Sequence, residues 1–275
     1  MKEFAEAVIN MDRRIIFVLI AIVILFPIIV PLNLPRIRIT DTVKGVYDEV
    51  EKLKEGDILY VSFDFDPASK PELYPSGVAV CRHAFSKNIR VMATCLWGTG
   101  VGLANEILEK TAKEYKKEYG KDFVFLGWYP AWMPMMTGII NNFYTFFPKD
   151  YKGLDTRSHP LMKNIQSLKD VNYMVVLSAG VPGPEEWITY ATSKTQNVKL
   201  GVACTAVIEP GLRPYYSSGQ ITGIIGAMKG AAEYEKLIQK EGSALGGMDA
   251  ISLAHFMVIF LVVGGNILMF AAKDK

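Results

Sequence analysis

Two long uncharged runs bracket the chain, and they decide which solvent its ends must fold in. Ile15 to Leu32, IIFVLIAIVILFPIIVPL, has no ionisable side chain, and Ala250 to Ala272, AISLAHFMVIFLVVGGNILMFAA, has only His255. About twenty apolar residues at a rise of about 1.5 Å each cross the hydrocarbon layer of a bilayer. Each run therefore predicts a transmembrane helix, over residues 15–34 and 250–272, with Pro27 and Pro31 kinking or ending the first. The first run is longer than the apolar core of a secretory signal peptide, and no Ala-x-Ala cleavage site follows it. A basic tail, residues 1–14, precedes it. The two runs also explain a mean hydropathy of +0.19 in a 275-residue chain of which 21% is charged. His255 is an ionisable intramembrane residue, and its place near the start of the run lets it reach the interface or a neighbouring helix.

With two crossings both termini share one side of the membrane. Arg13 and Arg14 before the first helix nearly balance Arg36 and Arg38 after it. A short basic tail ahead of a first helix stays inside, which predicts an extracytoplasmic middle domain.

That domain, residues 40–240, alternates strand-like and helical runs. DILYVSF (57–63), IRVMATCL (89–96), FVFLGW (123–128), YMVVLSA (173–179), LGVACTAVI (200–208) and ITGIIGA (221–227) are short and almost continuously apolar. Helical patterns at 72–87, 101–119, 138–147, 185–196 and 230–239 lie between or after them. Apolar strands alternating with amphipathic helices indicate a mostly parallel sheet covered on both faces, a doubly wound Rossmann-like α/β fold.

Ligands of such sheets bind outside the carboxyl ends of the strands. The residues placed there are Asp64, Asp66, Gly98, Thr99, Gly100, Gly102, Trp132, Glu185, Glu209 and Arg213. The loop WGTGVG has Gly98-x-Gly100-x-Gly102 spacing, follows the second strand, and has no acid at the end of the third. It therefore lacks the dinucleotide fingerprint, and no Gly-Lys-Ser/Thr makes it a Walker loop. Either it is a tight strand-to-helix turn or its amides face an anion. Asp64 and Asp66 alternate along an extended segment and could hold a cation with Glu209, although DFDPASKP equally reads as a turn and helix cap. Cys81, Cys95 and Cys204 sit in apolar runs without metal-ligand spacing, and His83 and His159 have no nucleophile motif beside them. The expectation is no metal, no cofactor, no disulfide and no nucleic-acid partner.

The segment GWYPAWMPMMTGIINNFYTFFPKDY concentrates Trp128, Trp132, Met135, Phe143 and Phe147. Those side chains serve the core, a protein interface or the bilayer surface. Gly264, Gly265 and Asn266 interrupt the second apolar run, where small residues allow close helix approach and an amide favours an interhelical hydrogen bond. The two features predict a homo-oligomer, or a repeated subunit of a larger membrane complex.

The runs SFDFDPASKPELYP, GVAVCRHAFSKNIRVMA, YGKDFVFLGW, ACTAVIEPGLRPYY and GIIGAMKGAAEYEKLI together resemble a family of bacterial membrane-anchored α/β proteins of no known activity. The resemblance implies one middle domain at the bacterial inner membrane, and carries no catalytic residue onto this chain. Three functions remain open: a structural or assembly subunit, a ligand-sensing domain, and an enzyme using the crevice. Missing catalytic motifs count against the last and a missing signalling module against the second, so the expectation is a non-catalytic subunit.

Overall fold

The computed structural model describes residues 12–30, 38–195 and 198–273. Most of the basic tail and the end of the first apolar run, residues 31–34, lie outside them. In chain order the helices and strands are α1 (Arg13–Ile29), α2 (Asp41–Lys52), β1 (Ile58–Asp64), α3 (Lys70–Ser86), β2 (Arg90–Cys95), α4 (Val101–Glu114), β3 (Phe123–Trp128), α5 (Trp132–Ile139), β4 (Tyr173–Ser178), α6 (Pro184–Tyr190), β5 (Leu200–Cys204), α7 (Glu209–Ser217), β6 (Gly223–Gly226), α8 (Ala227–Leu237) and α9 (Ser243–Lys273). The α/β domain, Ile37–Ala244, is one unit, and the terminal segments are another.

Six strands form one all-parallel sheet in the order β3-β2-β1-β4-β5-β6. β1, β4 and β5 are buried along their whole length because helices cover both faces, which is why their sequences are continuously apolar. On one face Leu59, Val61, Phe63, Val91 and Leu177 pack with Val46, Val80, Ile107 and Tyr234 from α2, α3, α4 and α8. On the other, Tyr60, Met92, Val124, Met174 and Val202 pack with Met135, Phe143, Leu168 and Trp187.

Both outer strands are protected. The unpaired side of β3 is met by the excursion between α5 and β4, where the amide of Tyr151 donates to the Phe125 carbonyl (2.9 Å). The predicted helix over 138–147 is not formed. α5 ends at Ile139, and Asn142 Oδ1 instead accepts from the Tyr144 amide (2.9 Å) to start a 3₁₀ turn, a side-chain bond that competes with helix continuation. At the β5–β6 end, α2 presses its backbone onto the sheet. A Cβ on Gly45 would come within 2.2 Å of the Thr222 carbonyl oxygen, and one on Gly223 within 2.3 Å of the Thr42 carbonyl oxygen.

α8 holds both points at which the chain leaves the domain. The amide and hydroxyl of Thr40, just before α2, both donate to Glu233 Oε2 at 2.7 Å. The amide of Ala244, in the first turn of α9, donates to Glu235 Oε1 at 3.2 Å. Both glutamates are 1% exposed, and being two residues apart they grip partners on different sides of the helix.

In the terminal unit, α9 is long and apolar enough to cross a membrane over Ser243–Phe270. α1 is shorter, at 17 residues; the Asp12 carboxylate caps it through the Arg14 amide (2.9 Å), and it runs through Pro27 to end at Ile29.

Packing at α2 predicts that Gly45→Ala lowers stability by about 1–3 kcal/mol, since the methyl group has no room against backbone. Gly102→Ala, whose new Cβ meets nothing within 4 Å on α4, should leave stability unchanged or raise it by up to about 1 kcal/mol. Urea unfolding of the two variants separates them.

Candidate functional site

Strand order reverses between β1 and β4, so the crevice of a doubly wound sheet opens above their carboxyl ends. Here the protein's own side chains bridge it. β1 ends on Asp64, whose side chain is fully buried. Its Oδ1 accepts from Ser62 Oγ (2.6 Å) and the Leu96 amide (2.9 Å), and its Oδ2 from Trp187 Nε1 on α6 (2.9 Å). Trp97, just past β2, donates its indole N–H to the Pro182 carbonyl in the loop after β4 (2.9 Å). Because β1 lies between β2 and β4, that bond spans the end of β1. The ring lies beside Gly180, where an added Cβ would be 3.6 Å away. Trp128, at the end of β3, donates to the Leu96 carbonyl (3.0 Å). Three indoles thus tie together the ends of β3, β2, β1 and β4.

The loop after β4 is folded tightly beneath this bridge. A Cβ on Gly183 would fall 2.2 Å from the Gly180 carbonyl oxygen and 2.4 Å from Ser178 Oγ. The amide of Gly183 donates to Glu186 Oε2 (2.8 Å), and Ser178 Oγ donates to the Gly180 carbonyl (2.9 Å).

The glycine loop forms a 3₁₀ turn, Gly98–Gly100, leading directly into α4. The Gly100 amide donates to the Trp97 carbonyl (2.9 Å), and a Cβ there would strike the Phe65 carbonyl oxygen at 2.2 Å. Gly100 therefore serves close packing of the second loop on the first. Gly98 lies against the Trp128 ring (3.3 Å for an added Cβ), while Thr99 and Gly102 are exposed.

The other predicted site residues are not gathered around Asp64. Asp66 accepts from the amide and hydroxyl of Ser69 (3.1 Å each), capping the turn before α3. Glu209 pairs with Arg213 one turn along α7 and packs where a side chain on Gly226 would go. Arg213 also lines a cavity of about 460 Å³ with Arg38, Thr40, Thr42 and Tyr216. Glu185 is exposed on the first turn of α6. Among the described residues no three His, Cys, Asp or Glu side chains gather in a way that could hold a metal ion.

Of the aromatic cluster, Met135 and Phe143 are 0% exposed and Phe147 is 3%, so these three interface candidates belong to the domain's own core. Trp132 is half-buried, edge-on to Tyr190, and Trp128 is exposed. On α9, Gly264 and Gly265 face open space, and Asn266 Nδ2 donates to the Val262 carbonyl of its own helix (2.7 Å).

Two further clusters carry titratable groups. His83 is buried between Tyr234 Oη (Nδ1, 2.8 Å) and Glu51 Oε1 (Nε2, 2.8 Å), with Tyr47 stacked on its ring. Burial pushes its pKa down, against the pull of Glu51. Asp150 Oδ2 bonds both His159 Nε2 and the Tyr119 hydroxyl (2.8 Å each), and pins the β3 excursion. Burial raises the pKa of all three cysteine thiols, Cys81 to about 12, so they are not nucleophiles at neutral pH.

No family model and no curated protein matches the chain. Among solved structures it is similar to trehalose-6-phosphate synthase OtsA at 10% identity and a TM-score of 0.28, over 86% of this chain and 47% of that one. A likeness at that level carries no argument here.

Burial pushes the Asp64 carboxyl from its ordinary 3.8 up to about 7 against the three donors. Between those values the folded chain keeps a proton that the unfolded chain has released, so this group's contribution to stability falls as pH rises. His83 acts oppositely, withdrawing stability as pH falls below its ordinary 6.5. Urea unfolding at pH 5 and pH 7.5 should show Asp64→Asn losing less between the two than the wild type does, by about 2 kcal/mol. Trp187→Phe should cost about 1.5–3 kcal/mol at pH 7.5 and less at pH 5, because the lost donor serves the ionised form best.

Proposed function

We propose that the chain is a non-catalytic structural or assembly subunit of an oligomeric membrane complex. The observation that carries this reading is the chemistry of the carboxyl edge. Indoles bridge the crevice, while the loops at the ends of β3, β4 and β5 present Trp128, Val181 and Val207 at 46%, 75% and 87% exposure. Nucleophile, base and metal ligand need polar groups facing the crevice. Apolar side chains exposed at the carboxyl ends of three strands suit contact with another protein instead.

Two anchors belong to the same proposal. α9 is one, and α1 is the second: its 17 residues span about 26 Å, against a hydrocarbon core of about 30 Å. Support comes from α8, which holds the chain at Thr40 and at Ala244, the two ends of the domain nearest the apolar segments. The reading places an extracytoplasmic domain at a bacterial inner membrane, within a family of anchored α/β proteins. Anchoring confines each domain to a plane, which raises effective concentration and lowers the affinity that assembly requires. Gly264 and Gly265 leave room for a second apolar helix.

The chain should stay in the membrane pellet after carbonate treatment; release of intact protein would defeat the anchored reading. In mild detergent the particle should have a mass that is a multiple of 30.6 kDa or belongs to a larger complex. Val207→Asp with Val181→Asp should shift it towards the monomer with an unchanged circular dichroism spectrum. A wild-type monomer would defeat the assembly reading alone.

A further inference from the structure

We infer that the Asp64 carboxyl is a pH-sensitive latch on α6: loss of its proton favours a state in which α6 and the Gly180–Gly183 loop have lifted from the β1–β4 junction. In that state the crevice stands open above the carboxyl ends of β1 and β4. The latch lies wholly within the α/β domain and does not depend on the assembly reading.

The three donors to Asp64 are not equally free to leave. Ser62 is on β1 itself and the Leu96 amide directly follows β2, so the ladder fixes both. Trp187 is the one donor of the three that stands outside the sheet. Its helix has seven residues and is joined to β4 through residues 179–183. Displacing α6 therefore brings water to the carboxyl without breaking a strand pair. The loop must follow, because Val181 and Pro182 lie between Gly180 and α6, and the bond from Trp97 to the Pro182 carbonyl breaks with it.

Nothing around the carboxyl offsets a negative charge. It is fully buried and has no basic partner among the described residues. It faces Tyr60 on β1 and Cys95 on β2, and burial raises the pKa of both, so both are neutral. β4 brings Ser178, whose hydroxyl donates to the Gly180 carbonyl, and α6 brings the Trp187 indole. Of the nearby acids, Asp66 is engaged by Ser69, Glu186 by the Gly183 amide, and Glu185 is exposed. Burial accordingly keeps Asp64 protonated up to about pH 7, against an ordinary 3.8. In the lifted state water solvates the group and the ordinary value returns. The lifted state therefore gains about tenfold in population for each pH unit between the two values and levels off above them. The Trp97 bond does not titrate and opposes lifting equally at every pH.

Hydrogen–deuterium exchange of the full chain in mild detergent tests the latch, read on peptides covering residues 184–191 from pH 5 to pH 8 and corrected for the intrinsic pH dependence of amide exchange. Corrected exchange of the wild type should rise about tenfold from pH 5 to pH 6, and only about twofold from pH 7 to pH 8. Asp64→Asn should give a flat profile, and Trp97→Phe should exchange faster by one factor at every pH. Trp187→Phe keeps the carboxyl but removes a donor to its ionised form, so its exchange should still climb steeply between pH 7 and pH 8. That displaced plateau identifies the latch even where Asp64→Asn does not fold. A flat wild-type profile would overturn the inference, and so would the wild-type slope persisting in Asp64→Asn. An equal rise in peptides from β1 and β4 would also overturn it, since the whole domain would then be unfolding. A wild-type monomer, which defeats the assembly reading, leaves the exchange profile as expected here.

Discussion

The buried carboxylate of Asp64 is the interaction on which the carboxyl half of the domain depends. A charge or a lone polar group in that interior is tolerable only if donors surround it. Its two oxygens offer enough lone pairs for donors from β1, from the residue after β2 and from α6. α6 is consequently held over the β1–β4 junction, and the loop from β4 must turn sharply at Gly180 and Gly183 to deliver it there. The same turn presents the Pro182 carbonyl to Trp97. Where related architectures leave a groove, this one has a keystone.

The two layers over the sheet are built differently. The α2, α3, α4 and α8 side is regular helix packing, with α2 so close that glycine is needed at Gly45 and Gly223. The opposite side is short helices and 3₁₀ turns held by side-chain bonds, among them Asp150 with Tyr119 and His159, and the Tyr144 hydroxyl on the Met162 and Ile165 carbonyls. The irregular layer carries Trp187, and its loops supply the exposed apolar residues of the carboxyl edge.

Much of this architecture was legible in the sequence because a parallel sheet covered on both faces needs continuously apolar strands, and all six runs became strands. β5 is shorter than its run because Thr205 to Ile208 turn away from the ladder, and β6 begins at Gly223 although the Thr222 amide already donates to the Leu200 carbonyl (2.8 Å). α2 is not legible in the sequence: DTVKGVYDEVEK carries a central glycine that signals a break, and the contact requiring it lies far away in sequence, at Thr222. α7 is hidden because EPGLRPYYS reads as a loop, although Pro210 in the first turn lacks only an N–H that the helix would leave unused. A cation pair of Asp64 and Asp66 needs an extended segment through both, whereas DFDPASKP also reads as a cap and turn, the role that Asp66 takes. β1 stops at Asp64, so the alternation fails and one carboxylate turns inward while the other caps a turn. Nothing local marks Trp187 as the partner of a residue 123 positions away. Nor does composition distinguish Met135 and Phe143, which enter the core, from Trp128, which does not.

The grip of α8 on Thr40 and Ala244 puts the two ends of the domain on one helix. Tension drawn through Thr40 and Ala244 meets Glu233 and Glu235 on one helix, and Tyr234 between them is fastened to His83. The force is shared locally between α2, α8 and α3, and the strands of the sheet are not the first elements in series with it. Tension applied at Thr40 and Ala244 would therefore meet Glu233 and Glu235 before it met the hydrogen bonds of the ladder.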